Sequence, residues 1–166
     1  MDGFFPPLSL PLPLPLDYIS YYDMIPNYVA LAEFRYQIRR FARISEDAAR
    51  NAGLEPQHHQ VLLAIKGTPP GQSATVGYLA DRLQLRQNSL GELLDRLAAK
   101  GLVRRRRDPA DARRVFVEAS PKAEALLHRL SLFHERELKL AAPALIAAIT
   151  EVIGSADRAA MRRVRS

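Results

Sequence analysis

Apolar and small residues recur every three or four positions between residues 31 and 52, which predicts a long amphipathic helix. Several arginines occupy the positions between them, so the opposite face of this helix is basic. The members of the apolar stripe are Leu31, Phe34, Ile38, Phe41, Ser45, Ala48 and Ala52. Gly53 is expected to end the helix, because glycine readily adopts the left-handed conformation found just after helix ends.

A shorter apolar run begins after Pro56. Residues 57–66 predict a helix that is buried on nearly every side and ends at Gly67. Its apolar residues are Val61, Leu62, Leu63 and Ile65. Residues 67–73 are rich in proline and glycine and are expected to form a loop.

Residues 74–118 predict two helices followed by a hairpin. A short helix over 74–83 is joined by a tight turn at Gln84 and Leu85 to a longer helix over 86–100. The inner face of the longer helix is Leu90, Leu93, Leu94 and Leu97, and Gly101 ends it. Two strands, 104–107 and 115–118, are then joined by a turn that contains Asp108 and Pro109. This order predicts a mainly α protein with a small β-hairpin wing, the winged helix-turn-helix.

The C-terminal region continues the helical pattern. Residues 122–141 predict a long helix, Pro143 is expected to break it, and residues 144–153 predict a second helix that ends at Gly154. Together with the first helix, these segments hold more apolar surface than one small winged-helix lobe can cover. Burial in a second copy of the chain is the simplest explanation, so we predict a homodimer.

The composition narrows the choice of partners. A chain of 166 residues with 48% hydrophobic residues can bury its own core, and its net charge of +6 favours a polyanionic partner, such as nucleic acid or an anionic membrane surface. The segment from Lys100 to Glu118 contains seven basic and only three acidic residues. Because this charge lies on the predicted hairpin, we favour nucleic acid over a merely solvated strand.

The sequence gives no support for an enzyme. It contains no cysteine, and its four histidines, His58, His59, His128 and His134, are not spaced as in zinc-binding motifs. A glycine-rich phosphate loop and a nucleophile turn are also missing from the sequence. We therefore predict no catalytic activity, no cofactor and no metal.

The first 25 residues differ from the rest. Leucine alternates with proline between Phe4 and Leu16, which prevents a helix, and no lysine or arginine precedes this run. A disordered leader is favoured over a signal peptide, and the alternative is a peptide that docks on a partner. Translation that begins at Met24 would remove residues 1–23. With no other segment long enough to span a membrane, we expect a cytoplasmic protein without membrane contacts.

Residues 79–123 resemble the DNA-binding region of the MarR (multiple-antibiotic-resistance regulator) family. The elements of the resemblance are Leu93-x-Asp95-Arg96-Leu97, Lys100-Gly101-Leu102-Val103, Asp111-x-Arg113 and Ser120-Pro121-Lys122. The resemblance implies a triangular homodimer on a palindromic operator. It assigns residues 26–153 to the domain, with a winged-helix core at about 56–120, dimerisation helices at about 27–52 and 122–153, and a basic tail at 154–166. Two positions depart from the family pattern: Gln84 stands where glycine is common, and Glu92 where a basic residue is common.

The predicted DNA contacts fall into three groups. Arginine, glutamine and asparagine make bidentate contacts with base edges, so base contacts are expected from the first turn of the helix over 86–100, the recognition helix. The arginines of the hairpin are expected to contact phosphates. The resemblance places Arg113 in the minor groove, with Asp111 beside it. The complete set is Arg86, Gln87, Asn88, Ser89, Arg96, Arg104, Arg105, Arg106, Arg107, Asp111, Arg113 and Arg114.

The resemblance also implies a repressor that responds to a small aromatic or anionic effector bound between the dimerisation helices and the DNA-binding lobe. Tyr36, Arg40, His58 and His59 lie on segments that could border such a cavity. Two alternatives for the whole protein stay open: a winged helix used for protein contacts, and a nonspecific DNA-binding protein of the chromatin type. Polar residues at the start of the recognition helix favour sequence-specific DNA over both.

Overall fold

The computed structural model describes residues 27–109, 111 and 114–163, with side chains described as far as residue 154. The elements in chain order are α1 (Tyr28–Asn51), α2 (Pro56–Lys66), α3 (Val76–Leu83), α4 (Gln87–Ala99), β1 (Val103–Arg107), β2 (Val115–Ala119) and α5 (Pro121–Arg163). This order confirms the predicted mainly α fold with a hairpin wing. The predicted leader over residues 1–25 lies outside the described residues.

The chain forms two compact units. The described part of the smaller unit consists of residues 27–35 and 146–163, and the larger unit spans residues 36–145. In the smaller unit, the Asn27 side chain caps the start of α1 by accepting a hydrogen bond from the Ala30 backbone N–H at 3.0 Å. Its amide nitrogen lies 3.4 Å from a carboxylate oxygen of Glu151 on α5.

The core of the larger unit is rich in leucines, several of which come from the predicted helix-turn-helix. Fully buried side chains from α2, α3 and α4 meet there: Leu62, Leu79, Leu90, Leu94 and Leu97. Burying one such side chain stabilises a fold by about 1.5 to 3 kcal/mol. The predicted inner face of the recognition helix is therefore confirmed.

Local signals in the sequence set the ends of the helix-turn-helix. Thr75 caps α3, because its hydroxyl accepts a hydrogen bond from the Tyr78 backbone N–H at 3.2 Å. Gln84 then adopts a left-handed conformation with φ of +55°, and the Leu85 backbone N–H donates to the Ala80 carbonyl at 2.9 Å. A residue with a side chain thus occupies the left-handed position at this turn, where glycine is the residue with the least strain.

The hairpin pairs β1 with β2 in antiparallel register, with Arg105 opposite Val117 and Arg106 opposite Phe116. Val117 is buried, and its backbone N–H donates to the Ala74 carbonyl at 2.8 Å. The second strand of the wing is thereby tied to the segment that leads into α3. The predicted hairpin is confirmed to within one residue at each end.

The prediction for the C-terminal region was wrong in two respects. Pro143 does not break the helix and Gly154 does not end it: α5 runs from Pro121 to Arg163, through residues 154–163, where a tail was expected. Proline lacks one backbone donor and fixes φ near the helical value, so a long helix can contain it with the loss of the hydrogen bond to the Lys139 carbonyl. None of the described helices combines the length and apolar character that a bilayer span requires.

Candidate nucleic-acid interface

The first turn of α4 presents polar side chains to solvent. Arg86 precedes the helix in an extended conformation, and Gln87, Asn88 and Ser89 are exposed. The apolar side of the same helix is buried, because four leucines point into the core. A helix whose apolar face is buried and whose first turn is polar and exposed has the shape and chemistry needed to enter the major groove of B-DNA.

Charged residues continue this exposed face toward the end of α4. Glu92, Asp95 and Arg96 are all exposed, and a guanidinium nitrogen of Arg96 lies 3.8 Å from a carboxylate oxygen of Glu92. An ion pair this long between exposed side chains contributes little, about 0 to 1 kcal/mol. Glu92 is therefore free to reorient, although its charge is opposite to that expected at DNA.

The outer face of the hairpin gathers arginines around one aromatic ring. The Arg106 guanidinium lies 4.8 Å from the centroid of the Phe116 ring, and that of Arg114 lies 5.6 Å from it. Arg106 Nε is also 3.8 Å from a Glu118 oxygen. Cation–π contacts of this kind hold an arginine in place without neutralising its charge.

Arg105 behaves differently from the other arginines of β1. Its Nη2 donates to the Gly91 carbonyl at 2.7 Å, and its Nη1 lies 3.0 Å from Asp95 Oδ1. Both acceptors belong to α4. From sequence, Arg105 was predicted to contact phosphate and Asp95 had no predicted contact, since the partner of a strand residue depends on packing that no local pattern reveals.

The turn of the wing is closed by backbone hydrogen bonds. The Arg114 N–H donates to the Asp111 carbonyl and the Asp108 N–H to the Arg114 carbonyl, both at 2.9 Å. Arg113 lies outside the described residues, so its placement in the minor groove stays a prediction. Among the residues that the structure describes, Arg86, Arg104 and Arg107 make no ion pair within 4 Å. Their charges are therefore available to phosphates.

His58 borders an open cavity of about 530 Å³ near the end of α4. The residue is only 2% exposed, and neither ring nitrogen has a hydrogen-bond partner among the described residues. Burial lowers the pKa of His58, and the charge of Lys100 lowers it further. The cavity is lined by Glu46, Arg50, Glu55, Pro56, Gln57, His58, Leu93, Arg96 and Lys100.

The other three predicted effector-binding residues lie elsewhere. His59 is buried against His134 of α5, with ring centroids 4.9 Å apart. Arg40 borders a separate cavity of about 80 Å³, and Tyr36 is largely exposed. His58 and His59 point in different directions from α2, as their adjacent positions predict. The ring nitrogens of His59, like those of His58, have no hydrogen-bond partner among the described residues.

Comparisons with known proteins point to one family. Residues 52–114 match the model of the MarR family. AbsC, a MarR family transcriptional regulator from Streptomyces coelicolor, has a similar structure, with a TM-score of 0.63, 16% sequence identity and coverage of 83% of this chain and 94% of that chain. No curated protein sequence matches the chain.

Two further solved structures are similar to this chain, and one of them is a complex with DNA. A mutant MarR from E. coli complexed with operator DNA has a TM-score of 0.58 at 19% identity, covering 78% of this chain and 94% of that chain. BpsR from Bordetella bronchiseptica, described for the regulation of its DNA binding by 6-hydroxynicotinic acid, has a TM-score of 0.56 at 22% identity, covering 74% and 94%. At these identities the similarity establishes the fold.

Proposed function

We propose that this chain is a homodimeric transcriptional regulator of the MarR type that binds double-stranded DNA at a specific sequence. The match of residues 52–114 to the MarR family model and the fold shared with AbsC support the proposal. The observation that carries the proposal is the exposed polar first turn of α4 beside a hairpin rich in arginine. Such a pair of elements reads bases with the helix and holds the phosphate backbone with the wing. The complex of the E. coli protein with operator DNA supports the same mode of binding.

Each part of the interface has its own task in this proposal. Gln87 and Asn88 read base edges in the major groove, because an amide side chain can accept and donate at the same adenine. Arg86, Arg104 and Arg107 contact phosphates. Arg113 enters the minor groove, where a narrow A·T-rich segment has the strongest negative potential.

Homodimerisation is proposed from the surface of the smaller unit. Six large apolar residues are exposed there: Tyr28, Val29, Leu31, Ile146, Ile149 and Ile153. Exposed apolar residues at this density on a small unit favour burial against a partner. A second copy of the chain is the partner that matches a palindromic DNA site, since a two-fold axis then relates both the protein and the DNA.

Replacing Asn88 and Arg104 by alanine is expected to have different consequences for binding. Loss of a base contact by Asn88→Ala should weaken binding to the preferred sequence about 5- to 150-fold and leave binding to random duplex nearly unchanged. Loss of a phosphate contact by Arg104→Ala should weaken both and should reduce the slope of log affinity against log salt by about 1. Fluorescence titrations at several salt concentrations measure both effects. Equal losses on both DNAs for Asn88→Ala would contradict a role in base recognition.

We further propose that the protein acts as a repressor whose operator affinity is lowered by a small anionic, often aromatic, effector. The cavity beside His58 supports this proposal, because it combines Arg96 and Lys100, at the end of α4, with the imidazole of His58, which has no hydrogen-bond partner among the described residues. The regulation of BpsR by 6-hydroxynicotinic acid is consistent with such a ligand class. An effector acts only if it binds the free and DNA-bound forms with different affinity.

The effector proposal has a direct test. Aromatic carboxylates are screened for a change in operator affinity, first with the wild-type protein and then with His58→Leu. An effective compound should lose its influence in the variant, while DNA binding without the compound persists. A screen in which no carboxylate changes the affinity would make the protein a constitutive DNA binder.

A winged helix used for protein contacts is the alternative function. It would favour apolar residues at the start of α4, whereas Gln87, Asn88 and Ser89 are polar and exposed. A nonspecific chromatin-type protein is the other alternative, and it requires no base contacts. The titrations with Asn88→Ala distinguish it from a sequence-specific regulator.

A further inference from the structure

The Arg105 guanidinium bridges the wing and the recognition helix. It leaves β1 and reaches two acceptors on α4, the Gly91 carbonyl at 2.7 Å and Asp95 Oδ1 at 3.0 Å. These acceptors are four residues apart, so they lie one above the other on the same side of the helix. Two separate nitrogens of one rigid, planar group are used, which fixes both the distance and the angle between strand and helix.

The alternation of side chains along β1 explains why Arg105, and not Arg104 or Arg106, makes this bridge. Val103, two residues earlier on the same face of the strand, is buried in the core, and so is Val117, directly opposite Arg105. Arg104 and Arg106 point to the other face. Accordingly, the Arg105 side chain is only 33% exposed, whereas that of Arg106 is 59% exposed.

We infer that Arg105 is a positioning residue, which sets the wing against the recognition helix and does not contact phosphate. Its guanidinium is held between the Gly91 carbonyl and the Asp95 carboxylate, and this carboxylate offsets the positive charge that would attract a phosphate. Arg104 and Arg107, on the same strand, carry charges that are not held by any described acidic residue within 4 Å. The inference rests on the proposed DNA binding, because it concerns how the two DNA-binding elements are held relative to each other.

The variant Asp95→Asn separates the two roles by the sign of its effect. If Arg105 contacts phosphate, removing a carboxylate from the DNA-facing surface should strengthen binding to every DNA. If Arg105 positions the wing, the same change loosens the bridge and should weaken binding to the preferred sequence by about threefold to tenfold. Binding to random duplex, which does not depend on register, should not weaken.

A second pair of variants tests the need for the guanidinium shape. Arg105→Lys keeps the charge but cannot reach two acceptors in one plane, so it should lose about as much affinity for the preferred sequence as Asp95→Asn. The double variant Asp95→Asn/Arg105→Lys should lose no more than either single variant, because both break the same bridge. Arg39→Lys, at an exposed position on α1 outside the proposed interface, is the matched control, and it should bind like the wild type.

The salt dependence gives an independent measurement. Arg105→Ala should leave the slope of log affinity against log salt nearly unchanged, whereas Arg104→Ala reduces it by about 1. Tighter binding by Asp95→Asn, or a slope reduced by about 1 in Arg105→Ala, would overturn the inference. In either case the wild type would still prefer its sequence, whereas failure of the proposed function would show as no preference in the wild type itself.

Discussion

Glutamate in place of Ile149 is expected to separate the homodimer and to lower the affinity for a palindromic site by at least about 100-fold. Ile146, Ile149 and Ile153 lie on one side of α5, at spacings of three and four residues, and are 63%, 40% and 59% exposed. In a two-fold interface each substitution acts twice, and burying the exposed 40% of two Ile149 side chains contributes about 1 to 2 kcal/mol. The introduced carboxylates add a desolvation cost.

Sedimentation at micromolar concentration measures the assembly, and titration with a palindromic duplex measures the affinity. Ala147→Glu is the matched control, because Ala147 is exposed on the same helix but points away from the isoleucine face. This control should stay dimeric. A dimeric Ile149→Glu protein, or a wild type that sediments as a monomer, would contradict the proposed interface.

The protein should lose stability as the pH falls from about 7 to about 4, and His59 should account for about 2 to 3 kcal/mol of this loss. Burial, followed by the neighbouring His134, lowers the pKa of His59 from 6.5 to about 4. Between these values the unfolded chain binds more protons than the folded protein, so unfolding becomes easier as the pH decreases. Burial also lowers the pKa of His134, whereas its hydrogen bond to the Ser45 backbone opposes this effect.

Urea unfolding of the wild type and His59→Phe at pH 7, 6, 5 and 4 tests this expectation. Phenylalanine fills a similar volume without titrating, and the other groups around the pair, Phe41 and Phe133 beside His134, do not titrate. The difference in unfolding free energy should therefore change with pH in favour of His59→Phe. His128→Gln, at an exposed position on α5, is the control and should follow the wild type. Parallel curves for the wild type and His59→Phe would show that His59 is not buried in the neutral form.

The helix-turn-helix could be predicted from sequence because its signals are local. The spacing of four leucines sets the buried face of α4, Thr75 marks the start of α3, and Val115 and Val117 alternate as expected for a strand. The prediction for α5 was wrong at Pro143, because a proline in the sequence shows only that one helical hydrogen bond is missing. The other hydrogen bonds of this long helix are enough for it to continue past Pro143.

The candidate site was harder to predict, because its side-chain contacts are made between segments that are distant in the sequence. The alternation of β1 separates Arg105 from Arg104, yet nothing near Arg105 in the sequence identifies Asp95 and the Gly91 carbonyl as its partners. The four proposed effector residues did not form one group for the same reason. His58 lies beside Lys100 of α4, whereas His59 lies against His134 of α5.

Selection of bound sequences from a random pool of duplex DNA tests the central claim most directly. A homodimeric winged-helix regulator predicts enrichment of one sequence with two-fold symmetry, its halves separated by about one helical turn, roughly 10 base pairs. Asn88→Ala should then enrich a pool with relaxed preference at one position in each half. Recovery of DNA without any common sequence, or no retention of duplex at all, would contradict the claim that this protein is a sequence-specific regulator.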